Sequence, residues 1–436
     1  MIEPMVLVSL YPMTQAGNYW KAPQAAGLAA TVLLPGSKSL TNRELVLSAL
    51  ANEPTRLIAP LISRDSNLMI EALTSLGVKF EWEKQNLLVT PGVLTGPAKI
   101  DCGLAGTVMR FLPPLSMLAT GDIEFDGDAG ARARPMQTTI DSLQALGALV
   151  TAESASLPFT VHATGSVAGG ELQIDASSSS QFVSGLLLSA ARFTNGLNLT
   201  HVGRHLPSMP HIEMTIATLL NRGINASSPN PANWVVEPGV IGGGEVVIEP
   251  DLSNAGPFLA AAMVAAGEVS IPNWPEHTTQ VGSHYINILR QMGATVELVD
   301  GTLTVSGNGE IQGVDLDLSE AGELTPTIAG LCALAIGPSR LTGIRHLRGH
   351  ETDRLAALAT EINKLGGKVT ELEDGLVIEP AALKAGVWHS YHDHRMATTG
   401  AIIGLRVPGV EVEDIQTTSK TMPDFPEMWR NMLESK

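Results

Sequence analysis

Eleven consecutive residues, RHLRGHETDRL from Arg345 to Leu355, hold two carboxylates, two histidines and three arginines. Such density is costly as mere surface and suits a site where acid and base functions face each other. A structural ion-pair network is the competing reading. A second cluster, YHDHR from Tyr391 to Arg395, places His392 and His394 at i and i+2. A helical start there splays the two side chains apart, and no further His or Cys cluster completes a ligand set, so no metal site is expected. The other theme is anion binding. PGSKS (Pro35 to Ser39), GLAGT (Gly103 to Thr107) and Ser177 to Ser180 with Gln181 set hydroxyls, glycine or lysine at expected helix starts, where free N–H groups and the positive dipole end attract anions. PGSKS lacks the spacing of a nucleotide phosphate loop. Taken alone, the serine run reads more readily as a loop than as a site, and ARARP (Ala131 to Pro135) reads equally as a solvated surface pair.

The chain around these segments is acidic. Of 436 residues, 44 are Asp or Glu and 27 Lys or Arg, a formal net charge of -17, which argues against a nucleic-acid partner. Ten of the 27 bases nonetheless fall in or beside the segments of interest: Lys38, Arg43, Arg110, Arg132, Arg134, Arg345, Arg348, Arg354, Arg395 and Lys420. Apolar residues at 44 % against 16 % charged allow a sizeable core. Two cysteines, Cys102 and Cys332, are too few for a disulfide framework or a Cys-based zinc site, and fit a reducing cytoplasm. The longest apolar run, Ala255 to Gly267, is too short to span a membrane. Met1 to Leu10 carries Glu3 where a secretory signal has positive charge and reads as a strand or tail.

What positions the chemistry is a repeat. Five segments read as an amphipathic helix, a glycine and an apolar strand, with glycines at 77, 147, 223, 293 and 366, spaced by 70, 76, 70 and 73 residues. Each glycine suits a helix C-cap, and a second strand follows each first one. Between them recur six Ser-, Gly- or Asn-rich starts of small-residue apolar helices, marked by Ser37, Ala105, Ser180, Asn254, Gly322 and His392. The sixth unit lacks the capped helix, and FPEMWRNML takes its place. The fold expected is α/β: two similar lobes, each of three βαβαββ units with buried helices and outer sheets. Residues 36–249 form one lobe; residues 1–35 with 250–436 form the other; the ligand lies in the cleft between them. The fourth start, LSNAGPFLAAAM, has no charge beyond Asp251 and reads as structural.

Nine motifs in order, LPGSKSLTNRELVLSAL, AGTVMR, ARARP, SSSSQF, LPSMPH, GELTP, GHETDRL, YHDHRMA and TSKTMPDF, resemble the 3-phosphoshikimate 1-carboxyvinyltransferases, the EPSP synthases. The resemblance implies a transferase that moves the enolpyruvyl group of phosphoenolpyruvate to the 5-hydroxyl of shikimate 3-phosphate in the shikimate pathway to chorismate and the aromatic amino acids. It implies no cofactor and no metal, small anionic substrates, a monomer and a cytoplasmic location. By similarity, Lys38, Ser39, Arg43, Ser179, Ser180, Gln181, Ser208, Glu323 and His350 contact shikimate 3-phosphate. Lys38, Gly106, Arg134, Gln181, Arg354, Arg395 and Lys420 contact phosphoenolpyruvate, with Thr107 in the same loop. The resemblance assigns catalysis to Glu323, Glu351 and Lys38: Glu323, set before a Thr-Pro helix start, as base on the hydroxyl, and Glu351 as proton donor, with Lys38 competing for either role.

Four positions depart from the common family pattern. Glu323 stands where many members have Asp, Leu104 where many have Asn and His211 where many have Tyr; His350 replaces a frequent Lys, which makes its charge pH dependent. Small Gly106 leaves room behind phosphoenolpyruvate, and the resemblance then implies sensitivity to glyphosate, which occupies that subsite in the family. The competing functions are a UDP-N-acetylglucosamine 1-carboxyvinyltransferase, which uses a loop cysteine, a metal-dependent hydrolase on His392 and His394, and a non-catalytic anion-binding repeat protein.

Overall fold

The computed structural model describes residues 19–204 and 206–435; the segment Met1 to Leu10 lies outside them. Two short strands come first, β1 (Tyr19–Lys21) and β2 (Ala29–Thr31). The first unit runs α1 (Lys38–Leu50), β3 (Thr55–Ile58), α2 (Arg64–Ser75), β4 (Lys79–Glu83) and β5 (Asn86–Thr90). The second runs β6 (Ala98–Asp101), α3 (Gly106–Ser116), β7 (Thr120–Asp126), the single turn α4 (Ala129–Arg132), α5 (Gln137–Ala145), β8 (Leu149–Ala152) and β9 (Phe159–Thr164). The third is β10 (Gly170–Ile174), α6 (Gln181–Ala190), β11 (Leu197–His201), α7 (Met209–Asn221), β12 (Ala226–Asn230) and β13 (Asn233–Val236). After β14 (Gly244–Val247) the fourth follows with α8 (Gly256–Val264), β15 (Glu268–Ile271), α9 (Tyr285–Gln291), β16 (Thr295–Val299) and β17 (Thr302–Ser306). The fifth contains β18 (Asp315–Asp317), α10 (Thr325–Ala333), β19 (Ser339–Thr342), α11 (Arg354–Lys364), β20 (Lys368–Glu371) and β21 (Leu376–Glu379). The sixth closes with β22 (Gly386–Trp388), α12 (His394–Arg406), β23 (Val410–Glu413) and α13 (Phe425–Glu434).

The five spaced glycines do end the helices α2, α5, α7, α9 and α11, each with φ between +80° and +105°. A left-handed residue lets the chain reverse into the hairpin that follows. The inner helices are buried on every side: each residue of α1 from Thr41 to Leu50 and all of α8. That is why they read as runs of small apolar residues rather than as a stripe. Helices α1, α3 and α6 pack together, as do α8, α10 and α12.

In the second, third and fifth units the leading strand pairs parallel with the strand after the inner helix, and the closing hairpin adds antiparallel, as in the order β6-β7-β9-β8. The first and fourth units exchange their leading strands. Strand β14 lies parallel to β3, and β2 lies parallel to β15. The sixth sheet recruits β1, antiparallel to β23. Buried apolar side chains form two clusters, one from Leu45 to Ile241, the other from Leu28, Ala30 and Val32 together with Leu252 to Met432. The chain passes between them at two adjoining points, where Ser37 N–H donates to Glu249 O at 2.8 Å and Asp251 N–H to Pro35 O at 2.9 Å. Among the described residues no helix is long and apolar enough to cross a membrane.

Candidate active site

The starts of all six inner helices meet in one cavity between the two clusters. Its lining takes Ser37 and Lys38 at α1, Gly106 and Thr107 at α3, Ser180 and Gln181 at α6, Asp251 and Ser253 ahead of α8, Glu323 ahead of α10, and His394 and Arg395 at α12. Each helix directs the positive end of its dipole toward this space. All fifteen residues that the resemblance places in contact with substrate or in catalysis line this cavity. Ser208 sits there in a left-handed conformation, φ +57°, at the start of α7, a cost that such residues carry mainly at functional positions.

Two of the carboxylates that line the space are those expected to act in catalysis. Glu323 Oε1 accepts from Ser253 Oγ at 2.5 Å, and its Oε2 lies 3.3 Å from Arg395 Nη2 and 3.7 Å from His211 Nε2. Burial opposes its ionisation, but Arg395, then His211 and Ser253, outweigh this and hold the carboxyl well below the usual range. Glu351 Oε1 accepts from Lys420 Nζ at 2.8 Å and its Oε2 from Arg354 Nη2 at 3.0 Å. Burial again opposes the charge, and Lys420 and Arg354 again prevail. The Thr-Pro helix start is shifted by one residue: Leu324 holds the N-cap position of α10, Thr325 rather than Pro326 begins the helix, and Glu323 lies in the preceding 3-10 turn, Gly322–Leu324.

Seven cations line the cavity, Lys38, Arg43, Arg110, Arg134, Arg354, Arg395 and Lys420, against four carboxylates, Asp65, Asp251, Glu323 and Glu351. They are not equally available. Arg43 directs its donors to Thr215 Oγ1, Ser39 O, Ser184 Oγ and His211 O. Arg354 is 2 % exposed and gripped by Asp393. Lys38 Nζ lies 3.5 Å from Asp65. Arg134 Nε and Nη1 and Gln181 Oε1, by contrast, are buried without a hydrogen-bond partner, and such orphans call for one. Both groups lean over Gly106: a Cβ there would lie 2.9 Å from Gln181 Oε1 and 3.3 Å from Arg134 Nη1.

Several sequence expectations need correction. Arg132, Arg345 and Arg348 turn away from the cavity and pair with Asp126, Glu373, and Asp353 with Glu371. The fourth helix start is not merely structural. Asp251 accepts the Lys38 N–H at 3.1 Å and Ser253 holds Glu323; only the repeat register could have pointed to them, and nothing local pointed to Asp65. His350 does not gain charge near neutral pH, because burial and then Arg354, whose Nη1 is 3.2 Å from His350 Nδ1, drive its pKa well below the ordinary value. Leu104 does not line the cavity; it packs over Gly130, where a Cβ would meet Leu104 Cδ1 at 3.2 Å. His392 is exposed whereas His394, the first residue of α12, is buried, and no group of three or more His, Cys, Asp or Glu among the described residues is placed to hold a metal ion.

The family model for EPSP synthase (3-phosphoshikimate 1-carboxyvinyltransferase) matches residues 23–429. This chain belongs to the EPSP synthase family. It is 57 % identical over 433 residues to the 3-phosphoshikimate 1-carboxyvinyltransferase of Kocuria rhizophila, covering 96 % of this chain and 97 % of that one. Its fold matches an EPSP synthase structure from Acinetobacter baumannii with a TM-score of 0.79 at 23 % identity, over 95 % of this chain and 97 % of that one. It also matches the enolpyruvyl transferase NikO from Streptomyces tendae at 0.75 and 16 % identity, over 94 % and 96 %. The loop cysteine of the UDP-N-acetylglucosamine branch has no counterpart in Cys102 or Cys332. Both are buried, and burial pushes each thiol up to about 12.

Proposed function

We propose that this chain is a 3-phosphoshikimate 1-carboxyvinyltransferase of the shikimate pathway, transferring the enolpyruvyl group of phosphoenolpyruvate to the 5-hydroxyl of shikimate 3-phosphate and releasing phosphate. The observation that carries this is the convergence of six helix starts and seven cations around two carboxylates, Glu323 and Glu351, in a member of this family. Two phosphates and two carboxylates on the substrates match that charge, and arginine forks suit both groups. Ser39, Arg43, Ser179, Ser180, Gln181, Ser208 and His350 would hold shikimate 3-phosphate. Gly106, Arg134, Arg354, Arg395 and Lys420 would hold phosphoenolpyruvate, with Lys38 and Gln181 between the two.

The reaction is addition then elimination. A proton added to C3 of phosphoenolpyruvate makes C2 electrophilic; the 5-hydroxyl oxygen attacks C2 as its proton passes to a base; the tetrahedral intermediate then loses phosphate, with a proton leaving C3. Glu323 is the base on the hydroxyl and Glu351 the acid, with Lys38 able to serve either step. Both carboxylates are held ionised by neighbouring cations, so Glu351 becomes a donor only as the substrates' anionic groups compete with it for Lys420 and Arg354. Binding thereby raises its proton affinity at the moment that chemistry requires. No cofactor enters these steps.

Two lobes, 36–249 and 1–35 with 250–436, close on the substrates in this reading, which the two apolar clusters and the paired crossings favour. Glyphosate would occupy the space behind Gly106, and the enzyme would act as a cytoplasmic monomer. Incubation with both substrates should give one new product bearing an enol ether, seen as two vinyl protons by NMR; no such product would refute the assignment.

A further inference from the structure

The turn leading into α12 carries strain. Ser390 O accepts the Asp393 N–H at 2.9 Å, and the two residues between them, Tyr391 and His392, both have φ of +54°. Two consecutive left-handed residues closed by that bond make a type I′ turn, which favours Gly and Asn because a Cβ crowds the carbonyl that follows. His392 is 89 % exposed at its side chain, 4.0 Å from Asp414, so it does little to hold the turn. Tyr391 is tied down: its hydroxyl donates to Glu361 Oε1 at 2.8 Å.

Glu361 is built as an anchor. Its side chain, on α11, is 1 % exposed. Oε1 also lies 3.2 Å from His389 Nδ1, while Oε2 accepts the His389 N–H at 3.0 Å and Lys364 Nζ at 3.2 Å. A carboxylate removed from water and surrounded by donors is a fixed, strong acceptor. The same helix begins with Arg354, and Arg354 is held by the residue that ends the turn, Nε to Asp393 Oδ2 at 2.7 Å and Nη2 to Oδ1 at 3.1 Å. Helix and turn are thus joined at two points, Arg354 to Asp393 and Glu361 to Tyr391.

We propose that Tyr391 and Glu361 are positioning residues whose hydrogen bond holds the strained turn, so that Asp393 keeps Arg354, and the start of α12 keeps Arg395, aimed into the cleft. Neither touches substrate. The proposal rests on the reading of Arg354 and Arg395 as phosphoenolpyruvate ligands.

The test compares the wild type with Tyr391→Phe, His392→Gly and the double variant, measuring amide exchange at Asp393 alongside KM for each substrate and kcat. Tyr391→Phe should speed exchange and raise KM for phosphoenolpyruvate by about tenfold, the scale of one hydrogen bond to a charged group, with KM for shikimate 3-phosphate changed less than about twofold. His392→Gly alone should leave activity intact. Added to Tyr391→Phe it should restore both exchange and KM, because glycine removes the strain that the bond restrains. A loss of thermal stability with unchanged KM, or a double variant no better than the single one, would overturn the proposal. Faster exchange with KM unmoved would overturn it too, and would locate the failure in the assignment of Arg354 and Arg395, since the turn itself would have loosened.

Discussion

Glu323 and Glu351 face the same cavity but have different neighbours, and that difference sets what each can do. Glu323 is held by Ser253 and opposed by Arg395 and His211, whereas Glu351 is bridged by Lys420 and Arg354. Glu323→Gln and Glu351→Gln should each lower kcat by about 100-fold or more while leaving KM for both substrates within a few-fold; an equal loss in both parameters would make them binding groups. His350 and His394 provide a second, independent check. Burial first, with Arg354 for His350 and Arg395 for His394, lowers both pKa values well below 6.5 in the folded chain. Below 6.5 the unfolded chain therefore binds protons that the folded one refuses, and stability falls as the pH falls. Each histidine should remove about 1 kcal/mol between pH 6.5 and 5.5. Denaturant midpoints across that interval should show the decline, and His350→Asn should lessen it; a flat profile would contradict the buried neutral state.

At the scale of elements, the spaced glycines carry the repeat. Gly223 has φ +80° with open space around it, whereas at Gly77, φ +105°, a Cβ would also lie 2.8 Å from Val93 O. Gly223→Ala should thus cost about 1 to 2 kcal/mol, the left-handed penalty alone, and Gly77→Ala measurably more, as read from thermal unfolding. These caps, the hairpins after them and the buried helices were legible because each rests on local pattern: a period, a cap, a run of small residues. The strand exchange was not. Ala29–Thr31 and Gly244–Val247 are three and four residues long, and nothing in them specifies which of two similar sheets they join. Ser253 went unread for the same reason, since its partner Glu323 lies 70 residues away. The site motifs were found as a set, but Arg132, Arg345 and Arg348 show that a basic residue inside a motif need not face the ligand when an exposed carboxylate lies nearer.

For the whole molecule, a net charge of -17 would oppose two polyanionic substrates if it acted as a uniform field. It does not, because exposed charges are screened beyond about 8 Å at physiological salt, and inside the cleft seven cations face four carboxylates. The architecture makes that local excess possible: six helix starts from two similar sets of three converge where the chain crosses twice between the apolar clusters. In the proposed function this convergence binds phosphoenolpyruvate and shikimate 3-phosphate together and passes an enolpyruvyl group between them. Phosphate release by the purified protein, without added metal, tests it most directly. Release that requires both substrates together, and that Glu323→Gln suppresses, is the predicted result. No release with both present, or release from phosphoenolpyruvate alone at the same rate, would contradict it.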